Sequence, residues 1–374
     1  KEIWKTLKPS DINRLKEEAK SLKQLQESEE DLVSLPTLER DDIPPSVQAV
    51  KENLSYKNVP AIFYQQPTSG IVYFTGAIGT GPLNHQLIPL VPFFSYALSR
   101  IGTAFCDYTE LAKRIDAHTG GVGLSVHART RFGKDGQCIP YIAFNGKCLN
   151  RHQADMFGIL QEILFHYDPS DKTRLKHLLL EYRAGMDSMI VHSGHRFAMS
   201  LASRNFSSTT NLSEAWHGIH QLKTMKEITD DLTEEKLAAV SQALDSIGHS
   251  LINRDNIKMA IIGEQQVLKE TISPLAVIES KLKDRIPSDF QTPDMIVKDS
   301  RIWEGWSTAS AVSFVARAFR TARLGHEDSP ALYVIGKLLR SLYLHREIRE
   351  KGGAYGGFSV YSPEDGIFSF ASYR

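Results

Sequence analysis

Arg349 and Tyr355 flank a glycine-rich run, "REKGGAYGG", near the end of the chain. A guanidinium and a phenol are both donors that can hold a carbonyl oxygen or the negative charge that develops on it during acyl chemistry. Gly352, Gly353, Gly356 and Gly357 surround them, and glycine is the residue used where backbone must bend or be closely approached. Taken locally, such glycines also serve as helix caps, and an Arg/Tyr pair also serves as surface or packing. A phosphate loop is excluded, because "KGGAYGG" ends a helix and leads into a strand, whereas a Walker loop leads into a helix and carries Gly-Lys-Ser/Thr.

The elements that must position this pair are legible on both sides. "SPALYVIGKLLRSLYLHREIRE" has helical period, with Pro330 suited to the first turn. Ile335, Leu338, Leu339 and Leu342 are expected to form one buried stripe, which Arg346 and Arg349 roughly continue. The helix is expected to end near Gly352 in a left-handed cap. Tyr355 then falls on the first residues of a strand, with tiny Gly357 and Ser359 as same-face neighbours. The resulting bare strip could receive an extended peptide backbone. "AYGGFSVY" and "IFSFASY" read as a hairpin around "SPEDG".

Upstream, residues 1 to about 30 read as a polar helix with a cap at Ser10 and a thin stripe of Leu15, Leu22 and Leu25. Pro36, Pro44 and Pro45 then mark a linker. A first globular unit opens with two strand-like runs around "PTSG" and continues into helices at "PFFSYALSRIG" and "DYTELAKRIDAHTGG". Asp107 and Glu110 have capping-box spacing there, and Gly120 and Gly121 close the segment. "VGLSVHARTRF" and "QCIPYIAFNGKCL" alternate as neighbouring antiparallel strands. Three long helical patterns follow, and "NIKMAIIGE" supplies a closing strand. Residues 265 to 300, with Pro274, Pro287 and Pro293, read as a second connection. A new unit starts at the strand-like "ASAVSFVARAF". The whole is α+β, and both units share a sheet-plus-helices plan.

Other chemistry-bearing residues carry weaker signals. His177 and Glu181 lie one helical turn apart but read as a surface pair. His192 and His195 in "HSGH" have no acidic ligand near in sequence, so packing or solvent is expected. His85 is a loop histidine. Cys106 precedes the Asp107 cap, where a helix N-terminus can lower a thiol pKa, although a buried inert thiol is the expected state. Arg317, Arg320 and Arg323 alternate in "VARAFRTAR", with Arg317 expected in solvent. No metal site is expected in this chain.

Composition removes several classes of function. Lysine plus arginine equals aspartate plus glutamate, 44 each among 374 residues, so no global field favours nucleic acid. No apolar run approaches the ~18 residues of a membrane span. Cys106, Cys138 and Cys148 are odd in number and lack a C-x-x-C pair, which points to a reducing compartment. The charged opening and the ending inside "GIFSFASYR" read as cuts within a longer protein.

Three stretches together, "LPTLERDDIP", "YFTGAIGTGPLNHQLIPLVPFFSYALSRIGTAFCDYTELAKRIDAHTGGVGLSVHA" and "LYLHREIREKGGAYGGFSVYSPEDGIFSFASYR", resemble in this order the C-terminal half of the presequence-protease branch of the pitrilysin/insulinase zinc peptidases. The likeness covers essentially the whole chain, and "REKGGAYGG" is its most specific part. It implies two similar antiparallel-rich sheets packed by helices, of the mitochondrial-processing-peptidase type. Residues 1–45 would end a helical hairpin linker, 46–265 form a third, non-catalytic domain, 266–289 a connection, and 290–374 a fourth domain cut short.

The resemblance also implies a metalloendopeptidase that degrades unfolded peptides in a closed chamber. Its zinc would be held by H-x-x-E-H in an absent N-terminal half that is this chain's partner. Arg349 and Tyr355 would act as catalytic and substrate-binding residues, with Gly352, Gly353, Gly356 and Gly357 beside the substrate. No H-x-x-E-H occurs here, and Pro89 and Pro92 stand where a helical ligand pair would be, so the chain alone is expected to be inactive. Bacterial cytosol, mitochondrial matrix and plastid stroma all fit the cysteine usage. The competing reading is an inactive scaffold or peptide-binding subunit of the same fold.

Overall fold

The computed structural model describes residues 8–27, 36, 38–47, 49–50, 54–55, 61–133, 135–283, 290–292, 303–308 and 310–373. They fall into two compact units, Lys1–Val50 and Lys51–Arg374. The first holds helix α1, Pro9–Glu27. It starts at Pro9 rather than from a cap at Ser10, because proline suits a first helical position and the Asp11 carboxylate accepts the Lys8 N–H at 3.1 Å. Leu15 and Leu22 on its thin stripe are exposed. A short 3-10 turn, Arg40–Asp42, follows.

In the second unit, alternating apolar residues build a six-stranded sheet. Its strands are β1 Leu54–Ser55, β2 Ala61–Gln65, β3 Ile71–Gly79, β4 Val122–Thr130, β5 Cys138–Leu149 and β6 Ile257–Gly263, in the order β1-β2-β6-β3-β5-β4. The two runs around "PTSG" are both strands, yet they do not pair with each other. β6 lies between them, parallel to β2 and antiparallel to β3. β4 and β5 are antiparallel neighbours, as their alternation predicts.

Helices α2 Val91–Ala97, α3 Tyr108–His118, α4 Gln153–Phe165, α5 Lys172–Ser203, α6 Ser208–His217, α7 Ile219–Thr229 and α8 Glu234–Leu251 complete the core. Asp107 caps α3 by accepting the Thr109 and Glu110 N–H groups at 2.8 and 2.9 Å. In the stretch read as a connection, α9 Gln265–Glu270 and α10 Ile272–Lys281 bury Leu268, Leu275 and Ile278 in that same core. Pro287 and Pro293 lie outside the described residues.

The second sheet has three strands, β7 Ala316–Arg320, β8 Gly356–Ser362 and β9 Ile367–Tyr373, ordered β7-β9-β8. The expected hairpin is β8–β9. Between β7 and β8 runs helix α11, Ser329–Leu338, which continues as a π-helix over Leu339–Lys351. Its apolar stripe is not buried: Ile335 is 45% exposed, Leu338 49% and Leu342 72%. The helix meets the sheet through other residues, Gly336, Leu344 and Ile348. The i→i+5 winding also breaks the spacing that would align Arg346 and Arg349 with Leu342.

α5 joins the two sheets, touching β7 and β9. It kinks at Ser193 (φ −135°, ψ 27°), and a Cβ on Gly194 would lie 2.3 Å from the Phe314 ring, so only glycine admits that ring. His195 stacks on Phe358 at 5.0 Å and meets the Tyr373 ring edge-on at 4.9 Å. The "HSGH" pattern is thus a docking joint, and burial holds the His195 pKa below its ordinary value. Arg323 adds a clamp. It donates to the carbonyls of Arg131 (2.9 Å) and Gly133 (3.1 Å) after β4, and of Glu364 (2.9 Å) between β8 and β9.

Candidate functional site

The end of the π-helix is closed by three backbone bonds of 3.1 Å each, from Gly352 to Glu347, Gly353 to Arg349 and Ala354 to Ile348. The left-handed residue is Gly353 (φ 72°), one place later than the expected cap at Gly352, whose φ is −82°. This reversal carries Tyr355 back over the last helical turn. The Arg349 guanidinium carbon sits 5.4 Å from the centre of the Tyr355 ring, within cation–π range. Tyr355 is 61% exposed and Arg349 is exposed as well. The two groups are adjacent and open to solvent, just ahead of β8.

Tyr355 is in turn supported from below. Its ring meets Tyr373 at 5.3 Å, and Tyr373 meets His195. Arg340 lies over the other aromatic in this group, Phe358, at 4.9 Å. Sequence reasoning missed Tyr373, His195, Phe358 and Arg340 as supports, since no local spacing links them.

The bare strip expected beside Tyr355 is not bare. A Cβ on Gly357 would lie 2.5 Å from Ile348 Cδ1, so that space is filled by the chain's own helix. Ser359 Oγ donates to the Gly336 carbonyl at 2.8 Å and is buried. Gly357 therefore lets the helix approach its strand and presents no groove. The outer edge of β8 remains: among the described residues no strand pairs with it. Such an edge offers backbone donors and acceptors to an extended peptide.

The other candidates are dispersed. His85 and His177 are exposed, and Glu181 accepts the Tyr96 hydroxyl at 2.7 Å. Cys106 donates to Glu162 at 3.3 Å, and Arg114 pairs with the same carboxylate at 2.8 Å. Cys138 and Cys148 are buried, and burial pushes the Cys148 thiol up to about 11. Arg317 lies over Phe319, and Arg320 donates to the Asn205 carbonyl at 2.9 Å. A cavity of about 540 Å³ between α5 and residues 304–316 includes neither Arg349 nor Tyr355.

The family described as peptidase M16, subfamily C, associated matches residues 1–228, well over half of the chain. The chain belongs to that family. A second match, described as the presequence protease C-terminal domain ("PreP C-terminal domain"), spans residues 306–374 and so contains the Arg349–Tyr355 turn. Among curated relatives of this peptidase-associated chain, the mitochondrial presequence protease of Kluyveromyces lactis is 30% identical over 387 residues, covering 99% of this chain and 38% of the relative. That of Yarrowia lipolytica is 28% identical over 376 residues, covering 98% and 37%. The chain thus spans less than two-fifths of the relatives' length. Among solved structures, a conserved protein from Enterococcus faecalis superposes with TM-score 0.59 at 16% identity, over 86% of this chain and 75% of that one. A domain from Pseudomonas fluorescens, titled "peptidase M16 inactive domain", gives 0.50 at 12% identity, over 85% and 73%. These two likenesses show the M16 fold.

Proposed function

We propose that this chain is the substrate-holding half of a metallopeptidase that degrades unfolded peptides, with the presequence proteases as its relatives. Residues 1–45 end a hairpin linker, 46–265 form a non-catalytic domain, 266–289 connect it, and 290–374 form the domain that carries the site. The observation that carries this reading is the open Arg349–Tyr355 pair at the start of an unpaired strand edge.

In this reading an extended peptide runs past the Gly352–Gly356 turn. The Arg349 guanidinium and the Tyr355 hydroxyl donate to the carbonyl oxygen of the scissile region. Both donors are held in place before substrate arrives, so their interaction strengthens as charge grows on that oxygen. Tyr373 beneath the phenol ring fixes its direction. The catalytic metal is not held here. None of the 13 histidines lies in an H-x-x-E-H, so the metal and its chemistry belong to the rest of the protein. The relatives' names favour the mitochondrial compartment over a bacterial cytosol.

The test uses the full-length protein, an unfolded peptide and two variants. Arg349→Ala and Tyr355→Phe should each lower kcat/KM by about 100- to 1000-fold, with metal content unchanged. Tyr355→Phe keeps the ring under the guanidinium and removes only the hydroxyl, so its loss reports the donor. Wild-type rates in both variants would remove the pair from the mechanism. An inactive scaffold of the same fold is the second reading, favoured by the fold shared with the inactive M16 domain; a full-length protein that binds the peptide without cleaving it would establish that reading instead.

A further inference from the structure

Three metal-binding side chains converge at the junction of α3, β5 and α4, with His118 far in sequence from the other two. His118 ends α3, His152 closes the 3-10 turn Asn150–His152 after β5, and Asp155 lies in the first turn of α4. His152 Nδ1 is 3.1 Å from Asp155 Oδ2, His118 Nδ1 is 3.3 Å from that same oxygen, and the two Nδ1 atoms are 3.5 Å apart. Tetrahedral zinc bound to nitrogen and carboxylate oxygen at its usual bond lengths places its ligand atoms about 3.3–3.5 Å apart. The three distances match the face of such a tetrahedron.

We infer that His118, His152 and Asp155 form a surface site for a zinc-class transition-metal ion, with the fourth position open to water.

Two further features support the assignment. The ligands sit on rigid, mutually braced elements. α3 is pinned to α4 by Arg114 on Glu162 at 2.8 Å, and Thr103 Oγ1 donates to the same carboxylate at 2.6 Å. Preorganised ligands lose less on binding. The side chains are also reachable: they are 39%, 25% and 45% exposed for His118, His152 and Asp155. Two neutral imidazoles and one carboxylate are a donor set that suits zinc.

One neighbour opposes the ion. Arg151 Nε–H donates to His152 Nε2 at 3.2 Å, which places the His152 proton on Nδ1, facing Asp155. Coordination through Nδ1 sends that proton to Nε2 and releases the exposed Arg151 side chain. Arg151 is therefore a competitor whose removal should tighten binding.

The experiment is a calorimetric titration of the metal-free 374-residue chain with zinc, with cobalt absorption as a geometry readout. The expected result is one saturable ion per chain and the intense visible bands of tetrahedral cobalt. His118→Gln and Asp155→Asn should weaken binding at least about 10-fold, while Arg151→Ala binds several-fold more tightly. Metal should raise the unfolding midpoint of wild type and not of the two ligand variants. Matching metal-free midpoints among all four proteins separate ligand loss from misfolding. Absence of saturable binding in the wild-type chain, or equal affinity in wild type and ligand variants, overturns the site.

Discussion

The six-stranded and three-stranded sheets repeat one arrangement. In the first, β3 leads through helices to the edge strand β4, which returns as the central β5. In the second, β7 leads through α11 and the π-helix to the edge strand β8, which returns as the central β9. The edge strands share a local sequence: Gly123-Leu124-Ser125-Val126 in β4 and Gly357-Phe358-Ser359-Val360 in β8. In this alignment Tyr355 stands where the first copy has Gly121. One copy closes its turn with small residues after a capped α-helix. The other winds its helix to π, reverses at Gly353 and brings a phenol back over a guanidinium. The scaffold is duplicated and the donor pair is not, so the pair cannot be a requirement of the scaffold.

The aligned glycines offer the sharpest way to break this comparison. A Cβ on Gly123 meets nothing within 4 Å, whereas one on Gly357 meets Ile348 at 2.5 Å. Gly357→Val should destabilise the protein by about 2–3 kcal/mol through overpacking. Gly123→Val should fall within about 0.5 kcal/mol of wild type, as an ordinary surface change does. Urea midpoints read both. Equal costs would mean that the two edge strands are packed alike.

Residues whose signal is local were legible in the sequence. The Asp107 cap, the alternation of β4 and β5, and the β8–β9 hairpin each depend on neighbours a few positions away. Legibility ended where a partner comes from elsewhere in the chain. The Ile335–Leu342 stripe has the right period for burial, but period reports which face is apolar and not whether anything covers it. Gly357 and Ser359 correctly read as small, yet small side chains mark a groove or a close approach equally well, and Ile348 decides for the second. Arg323 read as one of an alternating trio, because the carbonyls it holds after β4 and between β8 and β9 are remote in sequence. His118, His152 and Asp155 meet only because α3 packs on α4.

Arg323 also supplies the next test, since it ties equivalent turns of the two copies together. Removing a charged donor from three carbonyls should cost about 2 kcal/mol. Arg323→Ala should speed amide exchange at Arg131–Gly133 and at Ser362–Gly366 together, with little change in α8. If only one turn loosens, the copies are not coupled through this residue.

The smallest expected effect is in acid, where each copy carries a histidine held neutral by burial. His217 donates to the Val126 carbonyl of β4 at 3.2 Å, and His195 stacks on Phe358 of β8. Desolvation lowers both pKa values from the ordinary 6.5. A histidine with a depressed folded pKa takes up a proton more readily when unfolded. Its contribution to stability is therefore complete above the unfolded value and is lost as pH falls through the folded one. Unfolding midpoints should fall below about pH 6.5. His195→Phe keeps an aromatic ring against Phe358 and Tyr373 and removes the proton site, so it should flatten the part of that slope carried by the three-stranded copy. The slope that survives belongs to groups outside the joint, His217 among them. An unchanged slope in His195→Phe would mean that protonating His195 does not disturb the joint between α5 and the second sheet.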